Sequence, residues 1–344
     1  VPFISVIITA HNRREFLLEA VNSALNQTLP KDEYEVIVVK NFEDERIDKF
    51  LEEHGVKNIV TNGGPFGADL ARGVEESKGE VISLLDDDDL WLPQKLEKVK
   101  QVFQDENVIY YHNNLYNFHG SLSIDSLIDK IKSNKDPGKL LKLTIRDMNK
   151  NLSPPGNNSS IAVRKKVFSK KTLDKIKNVY LVADDLLFYL AYCNNGYFVF
   201  DDEILTLRRV HTANSSASRI IDYESWLAHV SNSVKIYKYD YLTFLDIFAS
   251  YDECEIPDEH KKRLISHLEA RYLSQVVTYS RLPNTKNELT LRGLIKYLKY
   301  QLKYQRNLKQ FLYGFLPFTP KIIKYYTAKR WYNYYLRIAE SNRQ

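Results

Sequence analysis

Residues 81–91 read Val81-Ile82-Ser83-Leu84-Leu85-Asp86-Asp87-Asp88-Asp89-Leu90-Trp91. An apolar run that lands on four consecutive carboxylates is the pattern of a buried strand surfacing at its carboxyl end. The same alternation extends upstream. Gly67–Lys78 reads as a helix after the turn residues Gly63-Gly64-Pro65, preceded by a strand over Val56–Val60, a short helix over Ile47–Glu53 and a strand over Tyr34–Val39. Before these, Arg13–Asn26 carries Phe16, Leu17, Ala20, Val21, Ala24 and Leu25 at helical spacing, and Phe3–Ala10 is an apolar, β-rich run. That run is too short to span a bilayer and lacks the basic flank of a signal peptide, so it is read as a buried strand. A βαβα order predicts a mostly parallel sheet, in which ligands bind beyond the carboxyl ends of the strands. The chemistry is therefore expected in the residues just after each strand.

Downstream the pattern is mixed from Gln101 to about Val210. Ser153–Asn158 is a loop by composition, Ile161–Val163 a short strand, and Ala183–Cys193 a helix opened by Asp184 and Asp185; beyond Asp222 the chain reads as almost wholly helical. With 344 residues, 44% hydrophobic and 27% charged, the chain has globular composition and can bury a proper core. No apolar run approaches the length of a transmembrane helix. Two cysteines, Cys193 and Cys254, are too few for a disulfide framework and form no CxxC pair, which predicts a reducing compartment.

The acidic run offers two readings. It is either a solvated cap for the next helix or a metal site, in which Asp86 and Asp88, sharing one side of the strand end, hold a hard divalent cation that bridges a diphosphate. Four adjacent carboxylates repel and a cap needs one, which favours the metal. Asp184-Asp185 is either a helix cap or the source of a general base. Arg208-Arg209-Val210-His211, followed by Asn214-Ser215-Ser216, combines phosphate-binding guanidiniums with an imidazole able to ligate a metal.

Taken together, Ile4–Arg13, Ala71-Arg72 with Lys78–Asp89, Asn158-Ser159-Ser160, Asp184-Asp185 and Arg208–Ser216 resemble glycosyltransferase family 2. The resemblance runs to about residue 216. It implies a GT-A fold, a Rossmann-like α/β domain with flanking helices, and inverting transfer from a nucleoside-diphosphate sugar with Mn²⁺ or Mg²⁺. By position, Thr9, Ala10, His11 and Arg13 would line the nucleotide pocket, together with Arg72. Asp86, Asp87 and Asp88 would form the Asp-x-Asp region, with Asp88 on the metal and Asp86 nearer the ribose. His211 would approach the metal or diphosphate. Asp185 matches the family's catalytic base, with Asp184 where glutamate is usual. The second strand departs from the family's acidic ending and gives Lys40-Asn41, so Asn41 would contact the base. The expected domains are 1–216, divided into a nucleotide-sugar half (1–105) and an acceptor half (106–216), and a helical region over 217–344.

The rival enzymatic reading is a sugar-nucleotide nucleotidylyltransferase, which would carry a glycine-rich loop where His11-Asn12-Arg13-Arg14 stands. The rival outside enzymes is a non-catalytic sugar-binding or membrane scaffold protein. Charge separates the ends of the chain: 286–344 carries +11 and the rest −6. In that tail, cations and aromatic rings interleave on amphipathic helices. The pattern suits either a cytoplasmic membrane surface or a subdomain packed on the core, and nucleic acid is not expected. The combined expectation is a cytoplasmic, peripherally membrane-bound enzyme that acts on a glycan or a lipid-linked acceptor.

Overall fold

The β-branched apolar runs near the start form four parallel strands. β1 (Ile4–Ala10) lies between β2 (Tyr34–Lys40) and β4 (Val81–Asp86), and β3 (Lys57–Val60) pairs on the far side of β2. The crossovers carry α1 (Leu17–Leu25), α2 (Glu45–Glu53) and α3 (Phe66–Glu76). A Cβ on Gly79 would stand 2.6 Å from the Ser5 backbone nitrogen, so only glycine lets the turn before β4 pack this closely on β1. The computed structural model describes residues 1–119, 128, 139–148, 152–211, 222–250, 253–305 and 308–341.

The predicted strands and helices recur with shifted ends. The largest shift is at α1, which begins at Leu17 rather than Arg13. Residues 11–16 instead form a loop in which Asn12 takes φ +56° and Arg13 turns toward the acidic run.

Beyond β4 the sheet changes character. β5 (Leu90–Trp91), α4 (Lys95–Phe103), β6 (Val108–His119), β7 (Leu140–Leu143) and α5 (Ile145–Met148) follow in the chain. After them come β8 (Ile161–Arg164), α6 (Lys170–Ile176), α7 (Ala183–Cys193) and β9 (Tyr197–Val210). The strand order is β3-β2-β1-β4-β8-β6-β9-β5, with β7 on β9. β8 runs antiparallel to β4 and β6, while β6 and β9 are parallel. The parallel expectation thus holds for β3-β2-β1-β4, and an antiparallel strand joins that half to the rest. One face buries Ile4, Val6, Ile8, Val36 and Val38 against Leu17, Ala20, Val21 and Ala24 of α1 and Leu96, Val99 and Phe103 of α4. This is the helical stripe of α1 meeting the alternate residues of the strands.

The chain divides into two compact units, Val1–His211 with Tyr251–Lys261, and Thr212–Ser250 with Lys262–Gln344. In the first, Cys193 at the end of α7 forms a disulfide with Cys254, and the Glu255 N–H donates to the Cys193 carbonyl at 2.8 Å. The cysteine count had pointed to a reducing compartment, whereas a disulfide belongs mainly to oxidising ones. Two cysteines far apart in sequence give no sign of meeting until the return segment is placed.

The helical expectation for the C-terminal region holds in the second unit. α8 (Tyr223–Ala249) opens with an Asp222–Ser225 capping box. α9 (Asp258–Ser280), α10 (Leu291–Tyr300), α11 (Leu308–Tyr313) and α12 (Lys321–Ser341) follow. Tyr223, Trp226 and Leu227 pack with Leu282 and Ala328, and with Trp331 and Tyr332 of α12. Val276, Val277, Leu289, Leu294 and Tyr297 form a second cluster. Among the described residues no helix is long and apolar enough to cross a membrane.

Candidate active site

β4 ends at Asp86, and β5 begins at Leu90 by pairing antiparallel with Leu207 and Thr206 of β9. The four aspartates are therefore stretched between two strand ends, with the end of β9 opposite them. The Arg209 N–H donates to Asp89 Oδ1 at 3.0 Å, and its buried guanidinium donates to the Asp88 carbonyl at 3.0 Å and to Glu19 at 2.6 Å. That guanidinium lies over the rings of Phe16 and Phe118, at 4.4 and 4.8 Å from their centroids. His211, two residues on, brings Nε2 to 3.0 Å from Asp88 Oδ2.

Each aspartate has a distinct environment. Asp87 is gripped by the Arg13 guanidinium, whose Nε donates to its two oxygens at 3.1 and 3.2 Å, and Arg13 Nη1 lies 2.9 Å from Asp88 Oδ2. Asp86 accepts from Asn158 Nδ2 at 3.2 Å. Asp89 Oδ2 accepts from Ser159 Oγ at 2.7 Å and from Asn157 Nδ2 at 3.2 Å. Burial pushes Asp87 up to about 6 even with Arg13 beside it. Burial, then the charge of Asp88, pushes Asp89 up to about 6; burial, then Asp89 and Asp88, pushes Asp86 well above the usual carboxylate range.

Asp86, Asp88 and Asp89 each place one oxygen within 4.8 Å of the others. Crowded, desolvated carboxylates offering hard oxygen donors match what a Mg²⁺ or Mn²⁺ ion requires. The Oδ1 of Asn158, beside Asp86, is buried without a partner among the described residues, so one more oxygen donor is available there. These residues fit a divalent cation.

The nucleotide-side candidates gather at the ends of β1, β2 and β3. Thr9 and Ala10 close β1, with Thr9 in register between Val39 and Asp86. Asn41 Oδ1 accepts the Asn12 N–H at 2.7 Å, and Asn41 Nδ2 donates to Asn12 Oδ1 at 3.2 Å. Gly63, at φ +78°, has only 3.3 Å between its Cβ position and Asn41 Nδ2, and 3.8 Å to His11. Asn41 thus joins three strand-end loops. Asp69 on α3 went unnoticed in the sequence. It is buried, accepts from Thr61 Oγ1 at 3.0 Å, and is pushed up by that burial while the bond and His11 act against it.

Arg72 is not brought to this edge. Its guanidinium pairs with Glu76 at 2.9 Å and Glu75 at 4.0 Å, on the outer face of α3, because i,i+4 and i,i+3 neighbours on a helix meet.

Asp184 and Asp185 occupy the first turn of α7. Asp184 accepts the Asn157 N–H at 3.1 Å through Oδ2 and the Asp185 N–H at 3.0 Å through Oδ1. Burial, then Asp185, pushes Asp184 up to about 6. Asp185 is itself buried. The hydroxyl of Tyr110 is buried without a partner among the described residues, and its pKa is raised by burial and by these two charges.

Asn157 to Ser160 span the end of the loop expected over Ser153–Asn158 and the Asn158-Ser159-Ser160 part of the resemblance, and their place beside the acidic run is not visible in the sequence. Underneath them, Trp91 Nε1 donates to the Ser159 carbonyl at 2.7 Å, and Thr206 Oγ1 donates to the same oxygen at 3.0 Å. Buried Lys95 donates to Asn113 Oδ1 and, at 3.3 Å, to the Ser160 carbonyl. Only the tertiary fold assembles that support.

The glycosyl transferase family 2 profile matches residues 5–170. An uncharacterized glycosyltransferase of Nostoc is 29% identical over 225 residues, covering 62% of this chain and 67% of the relative. The poly(ribitol-phosphate) beta-glucosyltransferase of Bacillus spizizenii is 25% identical over 207 residues, but the match spans 55% of this chain and only 32% of that enzyme. Residues 1–349 of S. aureus TarS superpose with a TM-score of 0.55 at 16% identity, covering 96% of this chain and 91% of that one. The TarS complex with UDP-GlcNAc gives 0.53 over the same shares. With the strand-end acidic cluster and this sheet order, these matches support a glycosyltransferase whose residues 5–170 resemble glycosyltransferase family 2, on a GT-A fold similar to that of TarS.

Proposed function

We propose that this enzyme moves a hexose from a nucleoside-diphosphate sugar to an acceptor hydroxyl by a single, inverting displacement, and that the acceptor is a growing glycan or a lipid-linked chain at a membrane surface. The observation that carries the reading is the position of Asn157. Its side chain bonds Asp89 in the acidic cluster and its N–H bonds Asp184, so cation-binding and base-bearing carboxylates lie one residue's reach apart. UDP-sugars are the donors to test first, because TarS is described in complex with UDP and UDP-GlcNAc.

A divalent cation held by Asp86, Asp88 and Asp89, with His211 beside Asp88, would neutralise charge developing on the leaving diphosphate. Arg13 keeps Asp87 and Asp88 in place and adds positive charge at the same edge. His11, Asn12 and Asn41, with Thr9 and Ala10 behind them, form the nucleoside end. Asp185, buried in the first turn of α7 and matching the family's catalytic base by position, is the proposed base that takes the acceptor hydroxyl proton as that oxygen attacks the anomeric carbon, with Asp184 beside it holding two backbone N–H groups. One base and one displacement invert the centre, with no covalent glycosyl-enzyme.

A thermal-shift panel of nucleotide sugars with and without Mn²⁺ tests the donor, since a ligand specific for the native state raises its unfolding temperature. A shift with a UDP-sugar that requires the cation supports the reading. No shift with any nucleotide sugar contradicts it. The anomeric configuration of the product, read by NMR, tests inversion.

A further inference from the structure

Thirteen of the twenty exposed large hydrophobic side chains among the described residues lie between Leu291 and Ile338. On α10 and α12 they fall opposite a side that is already buried or packed. On α10, Gly293, Leu294, Tyr297 and Tyr300 are buried, while Leu291 and Ile295 are 71% and 45% exposed. Leu302 continues that line at 60%. On α11, Leu308 and Leu312 are 70% and 56% exposed, with Phe315 one turn further on. On α12, Ala328, Trp331 and Tyr332 pack on the α8 cluster, whereas Ile322, Tyr326 and Tyr334 face solvent. The first two helices are locked together. Tyr297 Oη donates to the Gln310 carbonyl at 3.0 Å, and the Cβ position of Gly314 is 3.1 Å from both Leu298 and Tyr297.

Apart from Glu269, which pairs with Lys296, the charge named around these side chains is positive. Residues 289–339 contain no Asp or Glu, and Arg292, Lys296, Lys299, Lys303, Lys309, Lys321 and Arg330 are exposed among the apolar positions. Lys296 is paired with Glu269 at 2.9 Å. A second copy of this face would set cations against cations, and a nucleic acid would leave the leucines in water. A surface that is anionic at its headgroups and apolar beneath satisfies both features.

We propose that the outward faces of α10, α11 and α12 dock on an anionic lipid bilayer, with Leu291, Ile295, Leu308 and Leu312 entering the acyl boundary and the lysines meeting headgroup phosphates. The inference deepens the membrane-surface part of the proposed function and rests on it only for its purpose, because lipid binding is measured without donor or acceptor.

The test is co-sedimentation of the full chain with vesicles of phosphatidylcholine alone, or of phosphatidylcholine with phosphatidylglycerol, at low and high salt. Sedimentation is expected on the anionic vesicles, with less on neutral ones and less at high salt. Leu308→Ser with Leu312→Ser, both at exposed positions, should weaken it at least about tenfold through the lost apolar burial. Lys299→Gln and Lys303→Gln should each weaken it about fivefold. The unfolding temperature of each variant should match the wild type. A full chain that stays in the supernatant, or serine variants that bind like the wild type, would overturn the proposal. So would self-association without vesicles that the same serine changes abolish, since the face would then be an interface between copies. If vesicles bind but no nucleotide sugar does, the docking surface stands and the transfer reading fails.

Discussion

Asp89 and Asp184 are joined through Asn157, which donates its side-chain amide to one and its backbone N–H to the other. Asn157 reaches both because it sits at φ +71°, just before the short turn whose Ser159 hydroxyl also bonds Asp89. The proposed cation site and the proposed base-bearing turn are thereby tied to one loop rather than to two independent elements.

The bridge can be cut on one side. Asn157→Gly tolerates the positive φ and keeps the N–H to Asp184, while removing the amide to Asp89. A lost hydrogen bond to a charged group corresponds to about 1.5–3 kcal/mol. Cation-dependent affinity for a nucleoside diphosphate should therefore fall by roughly ten- to a hundredfold. The pH profile of turnover should keep its shape. Calorimetry and a pH–rate series check the two parts.

Asp185→Asn should leave donor affinity near the wild-type value and lower turnover by ~10²-fold or more, since a general base acts on the transition state. Single-turnover kinetics at saturating donor measure this. Should Asp184→Asn give that phenotype and Asp185→Asn not, the base is Asp184 and the assignment moves by one residue.

Arg13 neutralises carboxylates that have little water. Arg13→Ala should destabilise the protein by about 2 kcal/mol, because Asp87 is buried and loses its ion pair. Arg13→Lys should recover only part of this, as an ammonium lacks the two-pronged geometry. Urea unfolding of the three proteins gives the order wild type, Lys, Ala.

Lys95 has no carboxylate in hydrogen-bond contact among the described residues, and burial pushes its amine down to about 7. In the unfolded chain the amine titrates near 10.4. Between those values the unfolded state binds a proton that the native state does not, so this residue makes stability rise with pH above 7. Lys95→Met lacks that contribution. The stability of the wild type relative to Lys95→Met should grow by about 1 kcal/mol per pH unit from pH 7 to 9. A difference that stays flat over that range contradicts a buried amine of this kind.

The sequence made the first half of the sheet legible because each strand is a fully buried apolar run punctuated by turn residues and amphipathic helices. β9 escaped because Asp201, Asp202 and Glu203 interrupt it, and its burial reflects pairing with β5, β6 and β7 rather than any local period. The aspartates at the end of β4 stood out as an unusual cluster. Asn157, Ser159 and Glu19, by contrast, are ordinary polar residues whose roles arise only when loops from separate elements converge. Arg72, a motif neighbour in sequence, pairs along α3 with Glu76, a contact that the motif itself does not show.

On the proposed mechanism the carboxylates after β4 hold a divalent cation on which nucleoside-diphosphate binding depends. Isothermal titration of UDP into the wild type and Asp88→Ala, each with Mn²⁺ and with chelator, tests it most directly. Binding is expected by the wild type only with Mn²⁺, and none detectable by Asp88→Ala in either condition. Equal affinity of the two proteins in Mn²⁺, or wild-type binding unchanged by chelator, would contradict it.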